Sequence, residues 1–118
     1  WFRPGPGAKR ITGRAVYHGE MWLKDDPIYR GRGLIDVLAR FAFLTSMLNW
    51  QPDFVFGFML RPIARRGLAE REGYMHSDPY CLSWKIEGKN KPMDCNMVWM
   101  GLEDIRHVIH IPAEEIAA

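Results

Sequence analysis

The chain predicts an α+β fold, a mixed α/β sandwich with a central mixed β-sheet flanked by helices. Three observations carry that prediction. Residues 33 to 49 place apolar side chains at helical spacing. Residues 54 to 60 then run apolar without a break for the length of one strand, which suits a central strand buried on both faces. Strand-like residues precede the helical stretch, so the order strand, helix, strand makes a βαβ unit joining parallel strands. At 118 residues the chain fits one domain.

The opening segment, Trp1 to Arg10, alternates Pro and Gly without a period and reads as a loop or frayed arm. Ile11 to Leu23 reads as extended, because Val16, Tyr17, Met21, Trp22 and Leu23 favour a pleated, half-buried surface. Gly13 and Gly19 make it either one bent strand or two short ones. Lys24-Asp25-Asp26-Pro27 is a polar turn. From Gly33 to Asn49 the stripe of Leu34, Val37, Leu38, Phe41, Leu44, Thr45 and Leu48 predicts a helix. Ile35, Ala42 and Phe43 broaden that stripe, so the helix is expected to be buried on more than one side. Pro52 prevents its continuation.

Asp53 to Leu60 is the buried strand. Pro62 fits the first turn of a helix that runs to Glu72 and ends at Gly73. Tyr80 to Ile86 and Cys95 to Met100 read as strands around a polar turn at Glu87 to Pro92, and the tail from Leu102 reads as helical. The division expected is a flexible arm over 1–10, a core over 11–86 and a C-terminal strand and helix over 87–118.

Composition narrows the function classes. Hydrophobic residues make up 47% and charged residues 25%, an ordinary globular balance rather than a disordered one. A net charge of +2 is too small to imply nucleic acid. Arg30, Arg32, Arg61, Arg65, Arg66 and Arg71 nevertheless gather around the two expected helices. They form either an electropositive rim for a polyanionic small ligand or a solvated helix face. No apolar run approaches the ~20 residues of a membrane span, and no signal-peptide pattern opens the chain. Cys81 and Cys95 lack paired CxxC spacing, which excludes a zinc ribbon or a disulfide scaffold. Both read as reduced residues of a cytoplasmic protein.

The most informative stretch is Tyr29-Arg30-Gly31-Arg32-Gly33-Leu34. Two glycines one residue apart, at the mouth of a helix, let the backbone approach an anion closely. The first helical N–H groups lack partners and the dipole favours negative charge. Arg30 and Arg32 add forks that match phosphate oxygens. A Walker A loop is excluded because Leu34-Ile35 follow the last glycine, and a dinucleotide fingerprint lacks its third glycine.

The strand, the Asp-Pro turn, this loop, the apolar helix, the second strand and the later Leu68-Ala69-Glu70-Arg71-Glu72-Gly73-Tyr74 together resemble the GNAT superfamily of acyl-CoA-dependent N-acyltransferases. The likeness covers roughly residues 15 to 85. It implies that Arg30, Gly31, Arg32, Gly33 and Leu34 hold the pyrophosphate of acetyl-CoA or another acyl-CoA. It implies that the strand around Glu20 to Leu23, with Trp22 and Leu23, binds the pantetheine arm. A splay between that strand and Phe54 to Leu60 would admit the thioester. The chain departs from the pattern where Ile28 opens the loop motif, where Ala69 replaces a Tyr acid, and where Pro62 stands for an Asn. About thirty residues precede the loop where the family has several strands and helices. The rest of the fold is then truncated, or lies upstream of Trp1, or on a partner chain such as a second copy.

Acyl transfer to an amine needs a base for the amine proton and an acid for the leaving thiolate. His18 and Glu20 are two apart on one strand and share a face, toward the cleft or away from it. Either could be the base. Tyr74 is the candidate acid, with Tyr80 and His76 near the same region. His107 and His110 lack a partner at ligand spacing, so no metal site is expected. Phe54, Phe56 and Phe58 read as core, and the Met-rich segment 93 to 100 as core or interface. The function expected is transfer of an acetyl or other acyl group from acyl-CoA to an amine-bearing acceptor. The alternative is a non-catalytic CoA-binding or protein-interaction module on the same fold. A nucleic-acid partner is the least favoured reading.

Overall fold

The computed structural model describes residues 1–19, 21 and 23–116. The elements in order are α1 (Pro6–Arg10), β1 (Ala15–Tyr17), α2 (Leu34–Trp50), β2 (Phe54–Leu60), α3 (Arg61–Arg65), α4 (Leu68–Glu72), β3 (His76–Trp84), β4 (Met93–Gly101), α5 (Leu102–Ile109) and α6 (Ala113–Ile116). The strands form one mixed sheet in the order β1-β2-β4-β3. The chain is therefore an α+β fold with a four-stranded mixed sheet.

Parallel pairing sets Ala15 against Phe54 and Tyr17 against Phe56, with α2 as the crossover. Strands β2 and β4 run antiparallel along their whole length, from Phe54 opposite Gly101 to Leu60 opposite Cys95. A hairpin joins β3 to β4, and its register breaks between Asp78 and Leu82.

The apolar run of β2 resolves into two faces. Val55, Gly57 and Met59 are buried, whereas Phe54, Phe56 and Phe58 are half-buried. The first set meets α2 and α5 in a core with Ala39, Phe43, Val98, Met100, Ile105 and Val108. Phe43 is fully buried there, and truncating such a residue to Ala costs about 3–5 kcal/mol. The second set joins Met97, Trp99 and Cys81, covered by Ala8 and Ile11. One face is thus covered by long helices and the other by a single short one.

Several expectations are corrected. The opening residues, read as an irregular arm, contain α1. Neighbouring groups support it: Ala8 N–H donates to Asp78 Oδ2 at 2.9 Å, and a Cβ on Gly7 would collide with Trp99 and Asp78. Phe2 also bridges to Leu82 on the outer edge of β3. Among its described residues, the extended segment 11–23 holds three of regular strand, Ala15 to Tyr17, paired with Phe54 to Phe56. The single helix expected from Pro62 to Glu72 is two, α3 and α4, separated at Gly67 with φ +88°. That left-handed conformation costs an L residue energy and suits glycine. The helix does end at Gly73, at φ +107°. Strand β3 begins four residues before the expected Tyr80, while Lys85 and Ile86 fall outside the ladder. The C-terminal helix is also divided, because Pro112 cannot continue α5.

Candidate functional site

The site lies where β1 parts from β2. Among the described residues, the last bond between the two segments is His18 N–H to Phe56 O, 2.8 Å. The next residue of β2 is Gly57, and a Cβ there would strike the His18 carbonyl oxygen. Glycine therefore lets the chain after β1 pass close to β2. The opening becomes a cleft of about 220 Å³, with His18, Met21, Gly57, Glu72 and Tyr74 on its walls.

Aromatic packing positions the polar groups. Tyr74 follows the glycine that ends α4 and is buried. Its hydroxyl lies 2.7 Å from His18 Nδ1. Phe43 of α2 meets both rings edge-on, each at 5.2 Å. Burial lowers the His18 pKa, so the imidazole favours its neutral form. Burial, with Glu72 and Tyr17 adding to it, pushes the Tyr74 phenol well above its ordinary value. When the imidazole carries its proton on Nε2, the phenol O–H donates to Nδ1. Both groups are then neutral in partly buried surroundings.

Glu72 is the residue that sequence reasoning missed. It is 7% exposed at the end of α4. Burial raises its carboxyl from 4.5 to about 7, opposed by the Arg71 charge and reinforced by Asp36. A carboxyl poised near neutrality beside a cleft has the properties of a general base. One signal was available in the sequence. Glu72 stands four residues after Leu68, on the inward face of a short helix, where a solvated acid has no place. Arg40 fixes that helix: its Nη1 donates to Asp36 O at 2.9 Å and to Arg71 O at 2.7 Å.

The two-glycine loop forms a separate depression of about 280 Å³, lined by Leu23 and residues 29 to 36 with Arg71. Gly31 and Gly33 both have positive φ, +70° and +68°. Gly33 is the N-cap of α2 and supplies no side-chain cap, so the first amides of that helix face outward without one. The arginines bind the loop itself. Arg30 Nη2 donates to Leu23 O at 2.8 Å and pairs with Asp25 at 3.7 Å. Arg32 Nη1 donates to Ile28 O at 3.1 Å. Met21 lines the cleft and Leu23 lines the loop depression, so one short segment connects the two.

Of the residues expected at the site, His18 and Tyr74 meet in the cleft, and Leu23 with Arg30 to Leu34 meet at the loop. Glu20 and Trp22 lie outside the described residues. His76 and Tyr80 are not on the cleft walls. His76 Nε2 is 2.9 Å from Asp104 Oδ2, and its ring stacks on Trp99 at 4.3 Å. Among the described residues, no cluster of three or more metal-ligating side chains occurs, and no helix is long and apolar enough to cross a membrane. Cys81 and Cys95 are buried thiols whose pKa burial raises. Comparison with protein-family models, curated proteins and solved structures found no match.

Proposed function

We propose that this chain binds acyl-CoA and transfers its acyl group to an amine, in the manner of the GNAT superfamily that its sequence resembles. The observation that carries the reading is the cleft between the chain after β1 and strand β2 at Gly57, beside a two-glycine loop at the start of the helix that connects the strands.

The residues fit the cofactor. Two positive-φ glycines and an N-terminus without a side-chain cap offer backbone donors for a pyrophosphate. Arg30, Arg32 and Arg71 border the same depression. Asp36 in the first turn works against an anion there, and three arginines outnumber it. Bound acyl-CoA would supply a thioester carbonyl open to attack by an amine. Glu72, once ionised, accepts the proton that the attacking amine must lose. In this reading Tyr74, kept neutral by burial, would supply the proton that the departing sulfur takes up.

A second reading keeps the binding and drops the turnover. It is favoured by Ala69, which packs against the core and brings no acid to the cleft. Calorimetry with CoA and acetyl-CoA tests the common step, and heat of binding is expected at micromolar to millimolar ligand. Gly33→Val should abolish it while the circular dichroism spectrum is kept. Absence of binding at millimolar ligand would falsify both readings. Thiol release from acetyl-CoA in the presence of a panel of amines separates them.

A further inference from the structure

A further cavity, of about 380 Å³, opens where β2 passes into α3. Arg61, Arg65, Tyr80, Met93 and Asp94 are on its walls, and it shares Leu60 with the cleft. It stands on observations independent of the acyl-transfer reading.

The first is the break in the β3–β4 ladder. Asp78 pairs with Met97 and Leu82 with Cys95, so Pro79, Tyr80 and Cys81 together face Asn96 alone. Such bulges re-aim a side chain. Tyr80 takes φ +53°, uncommon for a bulky residue and costing on the order of 1 kcal/mol or more. The second is how that conformation is held. The buried Asn96 accepts the Tyr80 N–H at 3.3 Å and Arg61 Nη1 at 3.2 Å on the same Oδ1. The Arg61 guanidinium carbon lies 3.7 Å from the Tyr80 ring centroid. One side-chain amide therefore fixes the strained backbone and the plane of the guanidinium together.

The third is a missing counter-ion. Among the described residues, neither Arg61 nor Arg65 forms an ion pair, although Asp94 borders the same cavity. A guanidinium held in one plane has already lost the freedom that binding would cost. Its remaining donors match a carboxylate or phosphate in geometry. Leu60, Pro62 and Met93 make the rest of the wall apolar.

We propose that this cavity binds a small ligand carrying a carboxylate or phosphate beside a flat apolar group, with the anion on Arg61 and Arg65 and the flat group against Tyr80 and Met93. The test is an NMR titration of the whole chain with benzoate, phenyl phosphate and, as the neutral control, benzyl alcohol. The reporters are the Nε–H groups of Arg61 and Arg65 and the Tyr80 amide. Saturable shifts are expected with at least one anion and not with the alcohol, and the tighter anion identifies the natural group. Arg61→Lys keeps the charge and loses the fork, and should weaken binding about 10-fold. Arg65→Ala should weaken it several-fold. Arg65 is exposed, so that variant stays folded even if Arg61→Lys disturbs the bulge. The proposal is overturned if neither anion shifts these resonances at millimolar concentration. It is equally overturned if the alcohol binds as well as the anions, or if Arg65→Ala leaves the affinity unchanged.

Discussion

The cleft and the glycine loop adjoin along one short segment, yet they handle charge in opposite ways. In the cleft, burial works against every charged form: it lowers the His18 pKa and raises those of Glu72 and Tyr74. At the loop, Arg30 and Arg32 stay exposed and hold backbone carbonyls. Proton transfer near neutral pH needs groups whose charged forms are costly, which burial provides. Holding a polyanion needs donors that remain wet and able to exchange partners. The two regions therefore differ in what should perturb them. The cleft should respond to pH and to single atoms, the loop to salt and to charge count.

The largest effect expected is on turnover. Glu72→Gln removes the proposed base and should lower kcat about 10²–10⁴-fold, with CoA affinity in calorimetry unchanged. In the native chain the rate should rise as pH passes through about 7, because the base must be ionised. A flat profile would break the distinction between the two regions. Gly57→Val comes next. Its side chain meets the His18 carbonyl, so acetyl-CoA affinity should fall by about 10-fold or more, at a stability cost of about 1–3 kcal/mol by thermal melting. The Arg30→Ala and Arg32→Ala double variant should weaken CoA binding by about 10-fold and flatten its dependence on salt. A salt slope equal to that of the native chain would move the anion away from the loop.

The smallest effect sharpens the comparison through stability. The folded carboxyl of Glu72 binds its proton more tightly than the unfolded one, whose ordinary value is 4.5. Its contribution is therefore fully present below pH 4.5 and is lost as pH rises through about 7. Glu72→Gln should remove that slope and stabilise the chain above neutrality by roughly 1–3 kcal/mol. Urea melts at acid and alkaline pH measure it.

Strong periodicity made the central unit legible. Helix α2, strand β2 and the terminal Gly73 follow from patterns dense enough to survive tertiary context. Helix α1 was not legible, because its support comes from Asp78, seventy residues away. The close approach of the His18 carbonyl depends on Gly57 in another strand, which no local window contains. In the segment after Leu60, Arg66 and Gly67 were absorbed into a helix that tolerates one glycine on propensity alone. At the site, the two-glycine turn was readable because Gly31 and Gly33 stand only one residue apart. Glu72 was harder to read, because its one signal, the spacing of four from Leu68, competes with a neighbouring arginine that makes it resemble an ordinary solvated helix face.

The three-residue ladder of β1 has a kinetic consequence. Among the described residues, strand β2 is zipped to β4 over seven pairs, whereas β1 is joined over three and lies at the end of the sheet. So few bonds form a small cooperative unit, which opens locally at less cost than the whole molecule. The His18 amide, which ends that ladder, should exchange its hydrogen with solvent sooner than the amides of β4. A ligand seated in the cleft favours the closed form by mass action. Occupancy would then register as slowed exchange at one edge of the sheet, while the exchange of the buried centre stayed as it was.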